Sequence, residues 1–127
     1  MNKTFASVHL RPLLWLMLLS LFAVAGVVQA ATVVPIKLTG EVGPGFTITL
    51  KKGKNRVATL KKGVYAITVR DRATDHNFRL VGPGVNRATQ VRRIETKVWT
   101  VTLKPGTYTF LCDPHANRMK ASFQVTR

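Results

Sequence analysis

Tyr108-Thr109-Phe110-Leu111-Cys112-Asp113-Pro114-His115-Ala116-Asn117-Arg118-Met119 alternates apolar and polar side chains as far as a cysteine, then turns through a proline. Side chains two apart share a strand face, so Tyr108, Phe110 and Cys112 lie together, opposite Thr107 and Thr109. A histidine and a methionine follow within seven residues of the cysteine. Cys112 is the chain's single cysteine, which rules out an internal disulfide.

The same period of two extends outward through the chain. Short runs rich in Val, Ile, Thr, Phe and Tyr are expected as strands at 32–38, 46–50, 56–60, 64–70, 76–81, 97–103, 107–112 and 121–126, with a shorter one at 91–95. Pro35 places an edge or a bulge in the first. Residues 40–45 read as a turn and 85–90 as loop, and no segment carries a helical stripe, although 86–95 is ambiguous. His76, Phe78 and Leu80 share one face of their run, as do Trp99, Val101 and Leu103, and Phe123 with Val125. This pattern predicts an all-β fold, a two-sheet Greek-key β-sandwich of about eight strands. A weak internal echo relates 60–67 to 103–110; it reads either as a duplicated corner or, better, as the likeness of any two turns that precede a Tyr strand.

The leader has a different character. Lys3, His9 and Arg11 precede an apolar run over 13–28, interrupted by Ser20 and Gly26, and Val28-Gln29-Ala30 offers a small residue for cleavage. A run of 16 residues is shorter than the roughly 20 of a spanning helix. Residues 1–30 therefore read as a signal peptide rather than a retained anchor, and residues 31–127 as one exported domain, with no stable membrane insertion after cleavage. No cysteine stands near the cleavage point to take a lipid, and no Arg-Arg pair precedes the run, so ordinary unfolded export is expected. The expected location is the periplasm, with secretion or surface association as alternatives.

The leader holds only Lys3 and Arg11, which leaves 18 basic and all five acidic residues to the domain, a formal charge of +13. Such a surface attracts anionic partners. Nucleic acid is not expected, because the domain is exported and its aromatics follow core parity instead of forming a stacking platform.

Every soft or imidazole side chain after residue 30 belongs to one set: His76, Cys112, His115 and Met119. Two imidazoles and a thiolate with a weak thioether suit copper that shuttles between its two oxidation states. A closed structural zinc site usually takes four N/S ligands without a thioether. Haem attachment needs a C-x-x-C-H run, which is absent. A Cys112–His115 hydrolase is disfavoured, since its thiol would be held in a core-facing row. Phe78, Phe110 and Phe123 are candidates for an apolar shell around the set. Asn77 either braces the loop or is an ordinary exposed strand residue.

His76-Asn77-Phe78, together with the stretch from Thr107 to His115 and Met119-Lys120, resembles the blue-copper cupredoxins, most nearly the plastocyanin and pseudoazurin group. The resemblance implies one copper ion in a type 1 site, with His76, Cys112 and His115 as strong ligands and Met119 as the weak axial one. It also implies an electron carrier rather than an enzyme. An alternative use of the same site is copper delivery, sequestration or resistance. The spacing departs from the group: methionine follows the second histidine by four residues, where plastocyanin-like loops use five and amicyanin-like loops three. Asn117-Arg118 replaces the small apolar residues of plastocyanins and puts positive charge beside the expected electron exit, which favours an acidic redox-partner protein.

Overall fold

The computed structural model describes Gly26 and residues 28–127, so most of the expected leader lies outside the described residues. The chain divides into two units after Ala30, of which the second, Ala31–Arg127, is described throughout. The second unit contains ten strands: β1 (Ile36–Val42), β2 (Ile48–Lys52), β3 (Asn55–Arg56), β4 (Thr59–Lys61), β5 (Gly63–Asp71), β6 (Arg79–Gly82), β7 (Val85–Ala88), β8 (Glu95–Leu103), β9 (Gly106–Leu111) and β10 (Lys120–Thr126). They form two five-stranded sheets, ordered β3-β2-β1-β5-β8 and β4-β10-β9-β6-β7. Pairing is antiparallel except for β1 with β5 and β4 with β10. The expected all-β sandwich is present.

Strand parity does what the sequence implies. Tyr65, Ile67, Val69, Leu80, Val101, Leu103, Tyr108, Phe110, Phe123 and Val125 are buried between the sheets. Hydrophobic burial of about 25 cal/mol per Å2 on these rows drives the two faces together.

Several boundaries move, for reasons that lie outside any one strand. The first strand begins at Ile36, not Thr32, and runs on to Val42: it pairs with β5 from Ile36 and with β2 from Thr39, and Pro35, with no N–H to give the ladder, stands just outside it. Gly40, expected in a turn, lies mid-strand: a Cβ there would come within 2.9 Å of Cζ of Phe78, the residue just before β6. The 56–60 run is two strands, one in each sheet; Val57 N–H still bonds Leu50 O, whereas Ala58 O accepts from Gln124 N–H. Residues 85–88 form β7 in place of a loop, and in place of a strand at 91–95 residues 91–94 form a turn, with Arg92 at φ 73°, that leads into β8 at Glu95.

The echo is more than a turn likeness. In both copies the chain crosses from one sheet to the other, and a buried tyrosine hydroxyl pins the crossing to the residue four before it. Tyr65 Oη donates to Lys61 O at 2.7 Å, while Tyr108 Oη accepts from Lys104 N–H at 2.9 Å and donates to Pro83 O at 2.9 Å. Such corners fix the offset between the two sheets.

The strand directions gather the loops 43–47, 72–78, 89–94 and 112–119 at one end of the sandwich. The hairpin turns at 53–54 and 83–84 and both tyrosine corners lie at the other.

Candidate metal centre

The strand β9 delivers Cys112 to the first end with its side chain fully buried. A single 3-10 turn, Asp113–His115, then brings His115 back toward it; Pro114 supplies a φ suited to that turn. The loop is tied at both ends. Cys112 N–H donates to Met119 O at 3.0 Å, and Met119 N–H to His115 O at 2.8 Å. The Met119 side chain is buried.

His76 comes from the 72–78 loop and precedes β6, a correction to the strand expected at 76–81. Its place is set by neighbours. Phe78 N–H donates to Thr89 Oγ1 at 2.7 Å, and Thr89 Oγ1 donates in turn to Asp71 Oδ2 at 2.7 Å. Burial pushes the Asp71 carboxyl above the usual carboxylate range. Thr89 and Asp71 escaped the sequence reading, although an aspartate continuing the core parity of Tyr65, Ile67 and Val69 was a usable signal.

The loop thus converges three donor atoms. His76 Nδ1 lies 3.0 Å from His115 Nδ1, and Cys112 Sγ lies 3.7 Å and 3.6 Å from these two nitrogens. A point equidistant from the three is about 2.0 Å from each, close to the roughly 2.0–2.1 Å of a zinc–imidazole bond. Burial pushes the Cys112 thiol up, partly offset by hydrogen bonds from Asn77 N–H and His115 N–H. A metal ion entering the triangle would displace that proton. Two imidazoles and one soft sulfur in such a triangle fit a first-row ion of the copper type.

Asn77 takes the bracing role of its two sequence readings. Its Oδ1 accepts from Asp113 N–H at 2.7 Å, its Nδ2 donates to Asp113 Oδ2 at 2.7 Å, and its own N–H points at Cys112 Sγ at 3.5 Å. Arg79 Nε closes on the same carboxylate at 2.8 Å, and this guanidinium, with Asn77 assisting, holds the Asp113 carboxyl below its usual range. Asn77→Ala leaves the part-buried Asp113 N–H without its partner and takes from Asp113 Oδ2 one of its two donors, Arg79 Nε remaining at 2.9 Å, and it cuts the tie between the two loops. It is expected to lower unfolding free energy by about 2–3 kcal/mol. Urea denaturation checks this; a change below about 0.5 kcal/mol would show that the link is not structural.

The aromatic surroundings differ from expectation in one member. Phe78 and Phe110 stack beneath the site at 5.7 Å, but Phe123 stacks on Tyr108, a layer further from the loop. The third aromatic at the site is Phe46, half exposed, whose ring lies 5.7 Å from His76 and 5.0 Å from His115. Arg118 places its guanidinium 4.0 Å over the Phe46 ring. The basic residue of the departing loop therefore covers the aromatic that covers the histidines.

No protein-family model and no curated protein matches the sequence. Solved structures do resemble the fold. Reduced auracyanin from the photosynthetic bacterium Roseiflexus castenholzii superposes with a TM-score of 0.53 at 20% identity, over 72% of this chain and 98% of that one. Reduced rusticyanin superposes with a TM-score of 0.51 at 18% identity, over 71% of this chain and 78% of that one. A further rusticyanin structure, described as a copper protein, gives a TM-score of 0.50 at 16% identity, over 71% and 76% of the two chains. At such identities the likeness establishes architecture: the domain has the cupredoxin fold that the motif resembled.

Proposed function

We propose that the domain is an exported electron carrier, not an enzyme, holding one copper ion in a type 1 site. His76 Nδ1, Cys112 Sγ and His115 Nδ1 would be the strong ligands and Met119 the weak axial one. The observation that carries this reading is the donor triangle with sides of 3.0, 3.6 and 3.7 Å, built by residues from two separate loops. When bound, copper supplies a one-electron Cu(I)/Cu(II) couple. The chain supplies the frame. A loop tied by Cys112 N–H to Met119 O and by Asn77 to Asp113 resists rearrangement, so little reorganisation accompanies a change of charge. The stacked Phe78 and Phe110 exclude water from below, which tunes potential.

His115 is the half-exposed ligand and marks the face a redox partner would meet. Beside it a groove of about 270 Å3 is lined by Phe46, Thr49, Arg56, Arg118 and Lys120. Its three cations favour an acidic partner protein. Among the described residues no helix is long and apolar enough to cross a membrane. The apolar run at 13–28 supports export with cleavage after Ala30 and a periplasmic location.

The test is the purified domain loaded with Cu(II). An intense thiolate-to-copper absorption in the visible and a reversible one-electron voltammetric wave are expected. Protein that takes up only Cu(I), exchanges it readily and stays colourless on oxidation would overturn electron transfer in favour of copper handling.

A further inference from the structure

The charges of this domain are sorted along the strand direction. All five carboxylates lie in the half that carries the metal loops. Glu41 pairs with Arg70 and Arg72, Glu95 with Lys97, Asp113 with Arg79, and Asp75 lies 3.7 Å from His76. Asp71 is buried and bonded to Thr89.

The opposite end carries no acidic side chain. Lys52 and Lys54 sit at its β2–β3 hairpin, Lys61 and Lys62 at one tyrosine corner, Lys104 at the other, and Lys37 near the start of β1. All six are exposed, and none forms an ion pair among the described residues.

Apolar surface accompanies these lysines. Val33 and Val34, leading into β1, are 69% and 83% exposed, and Ile36 is 40% exposed. Ile36, Leu60 and Tyr65 also floor a depression of about 310 Å3 whose rim carries Lys52 and Lys61.

We infer that this end of the sandwich is a docking surface for an anionic lipid bilayer. The chemistry separates it from the metal end. Exposed Arg127, beyond the Thr126–Lys61 pair, and Arg87, beside Lys104, add to these six. Lysines nevertheless predominate here, compact charges on flexible stems that suit a fluid array of headgroup phosphates, whereas the carboxylate-pairing cations of the metal half are mainly arginines. Exposed valines and an isoleucine beside lysines give the apolar-plus-basic pairing by which peripheral proteins hold a bilayer interface. Docked in this way, the nine residues of β5 hold the metal loops about 30 Å above the surface, open to a partner. The inference does not depend on which metal the other end binds.

Because both sheets close within residues 36–126, the test uses the domain 31–127 without metal, sedimented with vesicles. Vesicles of phosphatidylcholine with phosphatidylglycerol should capture the protein, and pure phosphatidylcholine should not. Each basic residue held near such a surface strengthens partitioning on the order of fivefold. Neutralising Lys61 and Lys62 to Gln should therefore weaken binding roughly 25-fold. Neutralising Arg93 and Lys97, at the metal half, should change it less than about twofold. Circular dichroism on both variants confirms that these exposed changes leave the fold intact. Equal capture by neutral vesicles, or equal losses from the two pairs of substitutions, would overturn the proposal. Displacement by excess inorganic phosphate at matched ionic strength would assign a free-phosphate site instead. Binding to polyglutamate as tight as to the vesicles would assign an acidic protein.

Discussion

Cys112→Ser protein mixed with Cu(II) will be colourless and will gain no thermal stability from the metal. Serine keeps the shape but supplies a neutral hydroxyl, so the soft donor and its charge-transfer band vanish together. The metal-free fold should survive. Burial pushes the Cys112 thiol up, so without metal it behaves as a small apolar core side chain. A hydroxyl there can still accept from Asn77 N–H, which limits the loss to about 1–2 kcal/mol. Copper should separate the proteins far more. A ligand present at about 100 times its dissociation constant adds about 2.7 kcal/mol. For a domain of this size that raises the melting temperature by roughly 10–20 °C. Parallel melts with and without Cu(II) should show that rise in the unsubstituted domain and almost none in Cys112→Ser. Met119→Leu should keep an intense band at a shifted wavelength. A copper-dependent rise undiminished in Cys112→Ser would remove the thiolate from the site.

The candidate ligands were legible because their signals are local or exclusive. Cys112, His115 and Met119 lie on one short loop, and His76 is the other histidine beyond the leader. Parity aimed Cys112 inward correctly, since alternation survives to the end of β9. It also gave His76 the right burial with the wrong structure. That histidine is buried by a loop pinned through Thr89 and Asp71, 13 and 5 residues away in sequence, not by strand pairing.

Phe46 was illegible as a site residue for the same reason. Its proximity to both histidines and to Arg118 arises only when the 43–47 and 112–119 loops meet. Glycine misled most. Gly40 carries the signature of a breaker, yet the strand runs through it, and the ring of Phe78, from the 72–78 loop, occupies the space a side chain would need. No pattern within the strand records what packs on it.

Gly82 carries that lesson to its largest energetic consequence. It closes β6, where sequence reads only the start of the turn Gly82-Pro83-Gly84. In the fold, the Tyr108 ring lies directly over it. A Cβ would fall 2.6 Å from both Cγ and Cε1, and nearer still to the carbon between them. The ring has no direction in which to retreat. Tyr108 is fully buried, stacks on Phe123 at 5.4 Å, and has its hydroxyl held by Lys104 N–H and Pro83 O. Moving it would strain the core and loosen the corner that sets one sheet against the other. Gly82→Ala should therefore lower unfolding free energy by about 3 kcal/mol or more, the upper range of core overpacking. The denaturation midpoint should fall with an unchanged urea slope, since the unfolded chain exposes the same surface. Gly40→Ala is the useful comparison, because its added carbon meets only the tip of the Phe78 ring, at 2.9 Å from Cζ. A tilt of that ring relieves much of the contact, so the loss should be about 1–2 kcal/mol. If Gly82→Ala proves no more destabilising than Gly40→Ala, then Tyr108 can yield, and the corner is not the rigid element that holds the sheets in register.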